Sequence, residues 1–454
     1  MSASNLRNRS GFAALALCFA MVGAAAMLYY HLGLFMPRVL EVSTAKNLAG
    51  GYAFGNDFYP VWLTSREWVH EGRDPYSAQM TREIQKGLFG RQLDPLIPTD
   101  PLADYRTFAY PAFTNLLFWP ASELPFAVVR VVLVLLLAAL TAISVFLWAR
   151  ALSWSVSWPW LATAILLTVF SYPVLEGLYA GQLGLLVGFL LAASLLALQR
   201  GRLFLAGILM ALTTIKPQMT ALAIFYLLLW SLADWGRRSR FCVGLFSTML
   251  ALVAAATIVW PHWISSWTQV VLRYHRYARP PLVGEVFAQP LGPSVSGPLS
   301  LTMITVLFVV AVVLAWSNRT AAANSMQFWL TISLLLSITT ITLLPGQALY
   351  DHVILLPGIF LLACRWRNLS STWIRKALLA VGLGILLWPW IASIALTAMR
   401  PLLTHQQFYS NVIFALPLRT AAAFPFVVLG LLVLALRRTP TVDKDIMVEL
   451  TSAG

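Results

Sequence analysis

Continuous apolar stretches constrain what this chain can fold into more than any other feature of its sequence. A transmembrane helix needs about 20 apolar residues, within a range of about 17–25, and a chain with many such stretches is a multi-spanning membrane protein. An outer-membrane barrel is excluded, because its strands alternate between apolar and polar residues over about 10 residues. The sequence therefore predicts an all-α, polytopic membrane protein of about twelve spans, at residues 11–35, 126–149, 159–173, 181–199, 203–215, 217–232, 241–260, 299–317, 326–344, 348–363, 377–398 and 417–437.

The composition supports this class and excludes others. Hydrophobic residues make up 59% of the 454 residues and charged residues 11%, whereas a soluble domain has about 25% charged residues. So few charges do not cover a soluble surface of this size, which excludes a soluble enzyme, a disordered chain and a nucleic-acid-binding module. The three cysteines lie far apart and form neither a CxxC motif nor a disulfide framework. We interpret residues 1–454 as one integral membrane domain.

The charges predict the orientation of the spans. The formal net charge is +14, from 31 Lys and Arg against 17 Asp and Glu. With the N-terminus in the cytoplasm, the inner side receives 16 basic and 4 acidic residues, and the outer side 15 basic and 13 acidic residues. This orientation agrees with the excess of Lys and Arg found in cytoplasmic loops. Both termini, including a tail at 438–454, are then cytoplasmic, and the first span is interpreted as an uncleaved anchor.

Two long loops lie on the predicted outer side, at residues 36–110 and 261–298. Long loops in an otherwise economical membrane protein are usually functional. The first loop contains an amphipathic stretch that Gly72 would end, and such a helix is expected to lie in the membrane interface. The apolar face of this predicted helix consists of Phe58, Trp62, Trp68 and Val69.

Two further helices are predicted around these loops. The apolar stretch between Tyr110-Pro111 and Trp119-Pro120 is too short to span a membrane, so we expect a re-entrant or interfacial helix there. The second loop is predicted to carry an amphipathic helix as well. Its apolar face is formed by Trp263, Trp267, Val270 and Tyr274.

Asp57 is the sharpest candidate for a catalytic residue. It lies in the first outer loop, just before the amphipathic helix. A carboxylate held over a membrane-facing cleft can act as a general base. The alternative is a solvated loop aspartate, which most of the 13 acidic residues on the predicted outer side must be.

Lys216 is a second candidate, because it interrupts a long apolar stretch. A lysine in the middle of a span costs about 2.5–3.5 kcal/mol. Since Pro217 breaks the helix, Lys216 is predicted to lie at a turn near the outer surface, where it could pair with a phosphate. The alternative is a lysine whose ammonium group reaches the membrane surface without any ligand.

Other polar residues near the predicted outer surface are candidates for binding a substrate. Gln182 could hydrogen-bond sugar hydroxyls, although polar packing at a helix end is the simpler explanation and is slightly favoured. His352 could donate to a phosphate oxygen, while Asp351 beside it could instead cap a helix. Arg273 and Arg276 would suit a lipid phosphate, and ordinary anionic headgroups would attract them too.

Several motifs that would imply a cofactor are absent from the sequence. It contains no GxGxxG, P-loop, HExxH or GxSxG motif, so nothing binds a nucleotide through a recognised loop. No compact set of Asp, Glu and His residues predicts a metal site. We therefore expect no cofactor, no metal and no nucleic-acid partner.

Motifs spread over nearly the whole chain resemble glycosyltransferase family 87 in their order and spacing. They are Asp57-Phe58-Tyr59, Glu71-Gly72-Arg73-Asp74-Pro75-Tyr76, Tyr110-Pro111-Ala112-Phe113, Gly181-Gln182, Ala206-Gly207, Lys216-Pro217-Gln218 and Tyr350-Asp351-His352. The family is similar to the polyprenyl-phosphate-mannose-dependent α-mannosyltransferases of the GT-C group, which have many spans and an outer-side active site. The resemblance implies a hexosyltransferase of the bacterial inner (plasma) membrane. It would move a hexose from a polyprenyl phosphate to a lipid or glycan acceptor. The resemblance to mannosyltransferases implies that the hexose is mannose.

The resemblance also implies roles for the candidate residues. An aspartate in the first outer loop is the base, which corresponds to Asp57, and the donor phosphate is met by basic residues, for which Lys216, Arg273 and Arg276 are the candidates. The further substrate-binding residues are predicted to be Tyr59, Gln182, Asp351 and His352. Three other functions remain open from the sequence: a lipid or sugar flippase or transporter, a polysaccharide polymerase or ligase that uses a lipid diphosphate, and a non-catalytic scaffold.

Overall fold

The computed structural model describes residues 3–94, 96–98, 100, 105–277, 285, 288–346, 348–366 and 372–436, without the side chains of residues 3–10, 274–277 and 293. Throughout these residues the regular structure is helical, which confirms the predicted all-α class. The α-helices are α1 (Ala3–Tyr29), α2 (Met36–Thr44), α3 (Tyr59–Glu71), α4 (Ala78–Phe89), α5 (Phe113–Ser122), α6 (Phe126–Ala151), α7 (Trp158–Val169), α8 (Tyr172–Ala180), α9 (Gly184–Gln199), α10 (Leu203–Leu212), α11 (Ala221–Leu232), α12 (Trp235–Val259), α13 (Trp263–Tyr277), α14 (Pro293–Ser317), α15 (Met326–Thr342), α16 (Leu356–Cys364), α17 (Trp373–Met399), α18 (His405–Ser410), α19 (Leu416–Ala422) and α20 (Phe424–Leu436).

Several helices have the length and composition of membrane spans. Among the described residues five helices qualify, and the number rises to seven if each of two bent helix pairs is one span. All of them coincide with predicted spans, so the multi-spanning class agrees with the structure, while the number twelve stays a prediction. The five are Gly11–Thr44, Phe126–Ala151, Trp235–Val259, Ser294–Ser317 and Trp373–Leu402, and the pairs are Trp158–Val169 with Tyr172–Ala180 and Val412–Ala422 with Phe424–Leu436.

Shorter apolar helices occupy the remaining predicted spans. They have 10–17 residues, and at about 1.5 Å per residue even the longest falls short of a hydrocarbon core about 30 Å thick. Helix α15 is buried on all sides, as expected for a helix that is apolar all round and lies in the centre of a bundle. These short helices are Gly184–Gln199, Leu203–Ile215, Ala221–Leu232, Met326–Thr342 and Leu349–Cys364.

The first loop begins later than the sequence predicts. Helix α1 continues through a π-helical turn, Tyr30–Phe35, directly into α2. The first 9 residues of the predicted loop, Met36–Thr44, are therefore helical. A π turn widens the helix locally without ending it, which is why a continuous helix runs through this position.

The predicted loop helices are present and pack against one another. Helix α3 ends at Gly72, which has φ +63° as a left-handed C-cap, as the sequence predicts. Helix α5 forms from the short apolar stretch and packs on α3. Helix α13 contacts the segment before α5, since Trp267 Nε1 donates to the Ala109 carbonyl at 3.0 Å. It also contacts the first residue of α5, because the Trp263 and Phe113 rings are 6.1 Å apart. The two long loops are therefore in direct contact.

Helices α10 and α12 approach each other at two glycines. A Cβ atom on Gly244 would overlap the Phe204 carbonyl oxygen, and one on Gly207 would overlap the Phe241 carbonyl oxygen. Small residues let the backbones of two apolar helices come this close. The pair α10 and α12 is therefore fixed by backbone contact and does not depend on interlocking side chains at these positions.

We expect Gly244→Ala to lower the free energy of unfolding by about 1–3 kcal/mol, because the added methyl group overpacks a backbone contact. The measurement is the melting temperature of the detergent-solubilised protein, followed by tryptophan fluorescence. Gly236→Ala is the matched control in the same helix, because a Cβ atom there meets nothing within 4 Å. Alanine favours a helix over glycine by about 1 kcal/mol, so the control should be unchanged or more stable. Equal melting temperatures for both variants would contradict the close contact.

Candidate functional site

The segment that carries Asp57 is fixed by the C-terminal end of α8. A helix leaves its last carbonyl groups without partners inside the helix. Two such groups accept hydrogen bonds from the first loop: the Gly55 N–H donates to the Tyr179 oxygen at 2.8 Å, and the Asp57 N–H donates to the Ala180 oxygen at 3.0 Å. The loop backbone is therefore held by a helix that is distant in sequence.

The turn after α8 directs Gln182 toward Asp57. Gly181 ends the helix with φ +73°, a left-handed conformation that glycine adopts without strain. The chain then reverses, and the Gln182 N–H donates to the Gly177 carbonyl at 2.8 Å. This arrangement is a common way to end a helix with glycine. It explains why glycine stands before Gln182.

Three side chains donate hydrogen bonds to the Asp57 carboxylate. Asn56 Nδ2 donates to Oδ1 at 2.8 Å, Arg106 Nη1 donates to the same oxygen, and Gln182 Nε2 donates to Oδ2. The side chains of Asp57 and Arg106 remain 15% and 18% exposed. The carboxylate is therefore held in one orientation and stays accessible to a ligand.

Lys216 lies behind Gln182 in the break between the 3₁₀ turns Thr213–Ile215 and Pro217–Met219. Its Nζ donates to Asp351 Oδ1 at 2.6 Å and to Gln182 Oε1 at 3.3 Å. Because Gln182 Oε1 accepts from Lys216, the amide NH₂ group faces Asp57. The side chains of Lys216 and Asp351 are only 9% and 1% exposed. The predicted turn at Lys216 is present, but the ammonium group is buried and paired.

The Asp351 carboxylate lies against the first residue of α9. A Cβ atom on Gly184 would overlap Asp351 Oδ1, so only glycine allows this approach. Helix α9 has 16 residues, and the partial positive charge at a helix N-terminus stabilises a nearby carboxylate. Close packing against Asp351 thus explains why residue 184 is a glycine.

Two further side chains border these residues. Glu176 on α8 lies within electrostatic reach of both Asp57 and Asp351. The Tyr350 ring faces Lys216, with Nζ 5.0 Å from the ring centre. A cation over an aromatic face is stabilised by the ring quadrupole. The site is therefore rich in charge although it borders short apolar helices.

Arg106 is the residue of this site that sequence reasoning missed. Its guanidinium donates to Asp57 and to the Gly51 carbonyl, and its Cζ lies 5.2 Å from the centre of the Tyr105 ring. Its backbone φ is +68°, a conformation that costs a non-glycine residue about 1–3 kcal/mol and recurs at functional sites. Burial alone would lower the pKa of the guanidinium, but the Asp57 carboxylate, together with Tyr105 and Tyr350, outweighs burial and raises that pKa.

The available signal was a basic residue shortly before the Tyr110-Pro111 motif, in the same loop as Asp57. Sequence spacing alone did not distinguish Arg106 from other loop arginines. The residues that the structure joins here are named the Asp57 cluster below. They are Asp57, Arg106, Gln182, Lys216 and Asp351.

Three other predicted site residues, Tyr59, His352 and Arg273, have no hydrogen bond to Asp57 in the described structure. Tyr59 packs against Phe126, with ring centres 5.0 Å apart. His352 is 4% exposed and buried in the bundle. Arg273 is exposed, and among the described residues it donates to the Gln269 carbonyl of its own helix at 3.3 Å. The Arg276 side chain lies outside the described residues. Substrate binding by these four residues stays a prediction.

The chemistry available to the cluster follows from its charges. One accessible carboxylate can accept a proton, and the adjacent guanidinium can hold an anion. Within the described ranges, no group of three or more His, Cys, Asp and Glu side chains is placed to hold a metal ion. The cluster therefore combines a base and an anion-binding group within direct contact of each other.

Comparison with known proteins gives one result. The model of glycosyltransferase family 87 matches residues 108–345, just over half of the chain. The match begins two residues after Arg106, so it includes Gln182 and Lys216 but neither Asp57 nor Asp351. No curated protein and no solved structure matched the sequence.

Proposed function

The chain belongs to glycosyltransferase family 87, and from this membership and the Asp57 cluster we propose that it moves a hexose from a polyprenyl phosphate to an acceptor hydroxyl. Mannose is the proposed sugar, and a lipid or a glycan is the proposed acceptor. Membership makes the protein a glycosyltransferase, and its long apolar helices fit a membrane protein. The proposed location is the bacterial inner membrane, with both termini in the cytoplasm and the Asp57 cluster on the outer face.

The proposed reaction needs few groups. A glycosyl phosphate already carries a good leaving group, so no strong general acid is required. A base must take the proton of the attacking hydroxyl, and positive charge must stabilise the departing phosphate. Asp57 is the proposed base in a single displacement with inversion, and two carboxylates on either side of the sugar are not needed.

The lipid donor follows from the proposed orientation. Nucleotide sugars are made in the cytoplasm and do not reach a site on the outer face, whereas a polyprenyl chain dissolves in the bilayer. The positive-inside distribution of charge, 16 basic against 4 acidic residues on the inner side, supports this orientation. Helices α3, α5 and α13 would then border the entrance for the donor.

One observation carries the proposal: Asp57 is oriented by Gln182 and Arg106 while 15% of its side chain stays exposed. A structural carboxylate in a loop does not need to be oriented by two residues that come from separate parts of the chain. A catalytic base does, because proton transfer depends on its position.

The test is transfer by the purified full-length protein in nanodiscs. Radiolabelled polyprenyl phosphate mannose, polyprenyl phosphate glucose and a nucleotide sugar are supplied separately, with a panel of membrane lipid extracts as acceptors. We expect labelled product only with a polyprenyl phosphate donor. Transfer from the nucleotide sugar alone would refute the donor assignment, and the absence of any product across the panel would count against the proposed reaction.

A flippase is the second candidate, because a buried ion pair such as Lys216 and Asp351 also occurs in transport pathways. The same preparation in liposomes separates the two functions. Movement of labelled lipid-linked sugar across the bilayer without formation of a new glycosidic bond would favour the flippase. Bond formation without such movement would favour the transferase.

A further inference from the structure

We propose that Arg106 is a switch which binds the phosphate of the donor and thereby releases Asp57 to act as the base. The inference rests on the proposed function and deepens it. It assigns to the Asp57–Arg106 pair a resting state in which Arg106 occupies one oxygen of the base. Binding of a prenyl phosphate is the event that ends this state.

In the resting state both oxygens of Asp57 are occupied. Oδ1 accepts from Arg106 and Asn56, and Oδ2 accepts from Gln182. Because a carboxylate has about four acceptor sites on its two oxygens, the two donors on Oδ1 leave that oxygen no site for the proton of a hydroxyl. Departure of Arg106 would free one site on Oδ1, the oxygen that Gln182 does not bond to.

Arg106 is the partner that is able to leave. Its guanidinium has five N–H donors in a fixed planar arrangement, of which one bonds to Asp57 and another to the Gly51 carbonyl. Its Nε is buried and has no hydrogen-bond partner in the described structure. An unused buried donor beside an occupied one matches the requirement for binding two oxygens of one phosphate.

The two other donors on Asp57 are less free to move. Asn56 is bonded to the Gly51 carbonyl at 2.5 Å and is 5% exposed. Gln182 is held from behind by Lys216. Of the three donors on Asp57, only Arg106 has both a partly exposed side chain and a backbone in the left-handed conformation.

Lys216 is a poor candidate for the phosphate in this geometry. Its ammonium group is buried and already bonded to Asp351 and Gln182. Taking it away would leave the Asp351 carboxylate buried without its cation, which is costly. Arg273 is exposed, and its hydrogen bond among the described residues goes to its own helix. Among the described residues, Arg106 is therefore the cation that both contacts the base and has an unused N–H donor.

The donor phosphate takes the guanidinium of Arg106 from Asp57. The acceptor oxygen attacks the anomeric carbon and forms the new bond, while its proton goes to Asp57. The bond from the anomeric carbon to the phosphate oxygen breaks, and the electron pair leaves with the phosphate, which Arg106 holds.

The test is the affinity of full-length protein in phosphatidylcholine nanodiscs for farnesyl phosphate, a prenyl phosphate without a sugar. We expect Arg106→Gln to bind it about 10-fold or more weakly, because a charge-assisted pair is lost. Asp57→Asn should bind it several-fold more tightly, because the competing carboxylate is gone. The double variant should bind like Arg106→Gln alone, which is the signature of direct coupling.

Controls separate this site from others. Arg82→Gln, an exposed arginine on α4, should bind like the wild type, and Arg273→Gln tests the alternative cation. Farnesol, which lacks the phosphate, should not respond to Arg106→Gln. Inorganic phosphate should follow the same order of variants at lower affinity, whereas equal affinity for inorganic and farnesyl phosphate would argue against a lipid donor and overturn the proposal.

The outcome does not depend on turnover. If the expected binding pattern appears but no donor supports transfer, the switch stands and the proposed reaction is wrong. If Asp57→Asn binds farnesyl phosphate no more tightly than the wild type, the switch is refuted whatever the activity. Should Arg106→Gln fail to fold, the Asp57→Asn arm alone decides.

Discussion

Asp57→Asn should lower the turnover number of sugar transfer by about 10²–10⁴-fold, the usual contribution of a general base. The substitution keeps the size and planar shape of the side chain. It removes the charge that accepts a proton and that pairs with Arg106. The measurement is kcat in nanodiscs with the polyprenyl phosphate donor identified as active.

The matched control is Asp94→Asn, an exposed aspartate in the same loop. We expect this control to keep wild-type turnover. Melting temperatures of both variants show whether any loss comes from unfolding, and farnesyl phosphate binding by Asp57→Asn shows that the site is intact. Wild-type turnover of Asp57→Asn would remove the residue from the role of base.

Four of the five residues in the Asp57 cluster were candidates from the sequence. Gln182, Lys216 and Asp351 interrupt or border apolar stretches, where an isolated polar residue needs a reason, and Asp57 precedes an amphipathic helix in the first loop. The fold brings these residues together. The carbonyl groups at the end of α8 accept hydrogen bonds from the loop backbone, and the first residue of α9 lies beside Asp351. Such residues stand out because burying a charge in an apolar bundle requires a partner.

The sequence was not sufficient to identify Arg106. An arginine in a long polar loop resembles any other surface arginine until the fold places it. Arg106 contacts Asp57 from a backbone with φ +68°, and no rule of composition or spacing predicts that conformation for an arginine. The arginines of the second loop appeared more suitable only because they are clustered in sequence.

The sequence does not determine the number of membrane-spanning helices, for a different reason. Hydropathy finds apolar stretches but does not separate a helix that crosses a membrane from a short helix packed inside the bundle. Five apolar helices of 10–17 residues fall into this class. Helix α15 is buried all round, so its apolar surface reports contact with other helices as much as contact with lipid.

The second large effect is expected for Lys216→Met. Removing the cation leaves Asp351 buried at 1% exposure without its partner, and breaking a buried pair on one side costs about 3–5 kcal/mol. The variant should be expressed at a much lower level and melt well below the wild type. Lys46→Met, an exposed lysine, is the control and should melt like the wild type.

The double variant Lys216→Met with Asp351→Leu separates stability from function. With both charges gone, no unpaired charge remains buried, so most of the lost stability should return. Activity should not return, because nothing holds the Gln182 amide in the orientation that donates to Asp57.

If Lys216 only positions Gln182, kcat falls in the double variant while its affinity for farnesyl phosphate stays near that of the wild type. A loss of that affinity as large as in Arg106→Gln would instead make Lys216 the cation that meets the phosphate, since Arg106 is unchanged in the double variant.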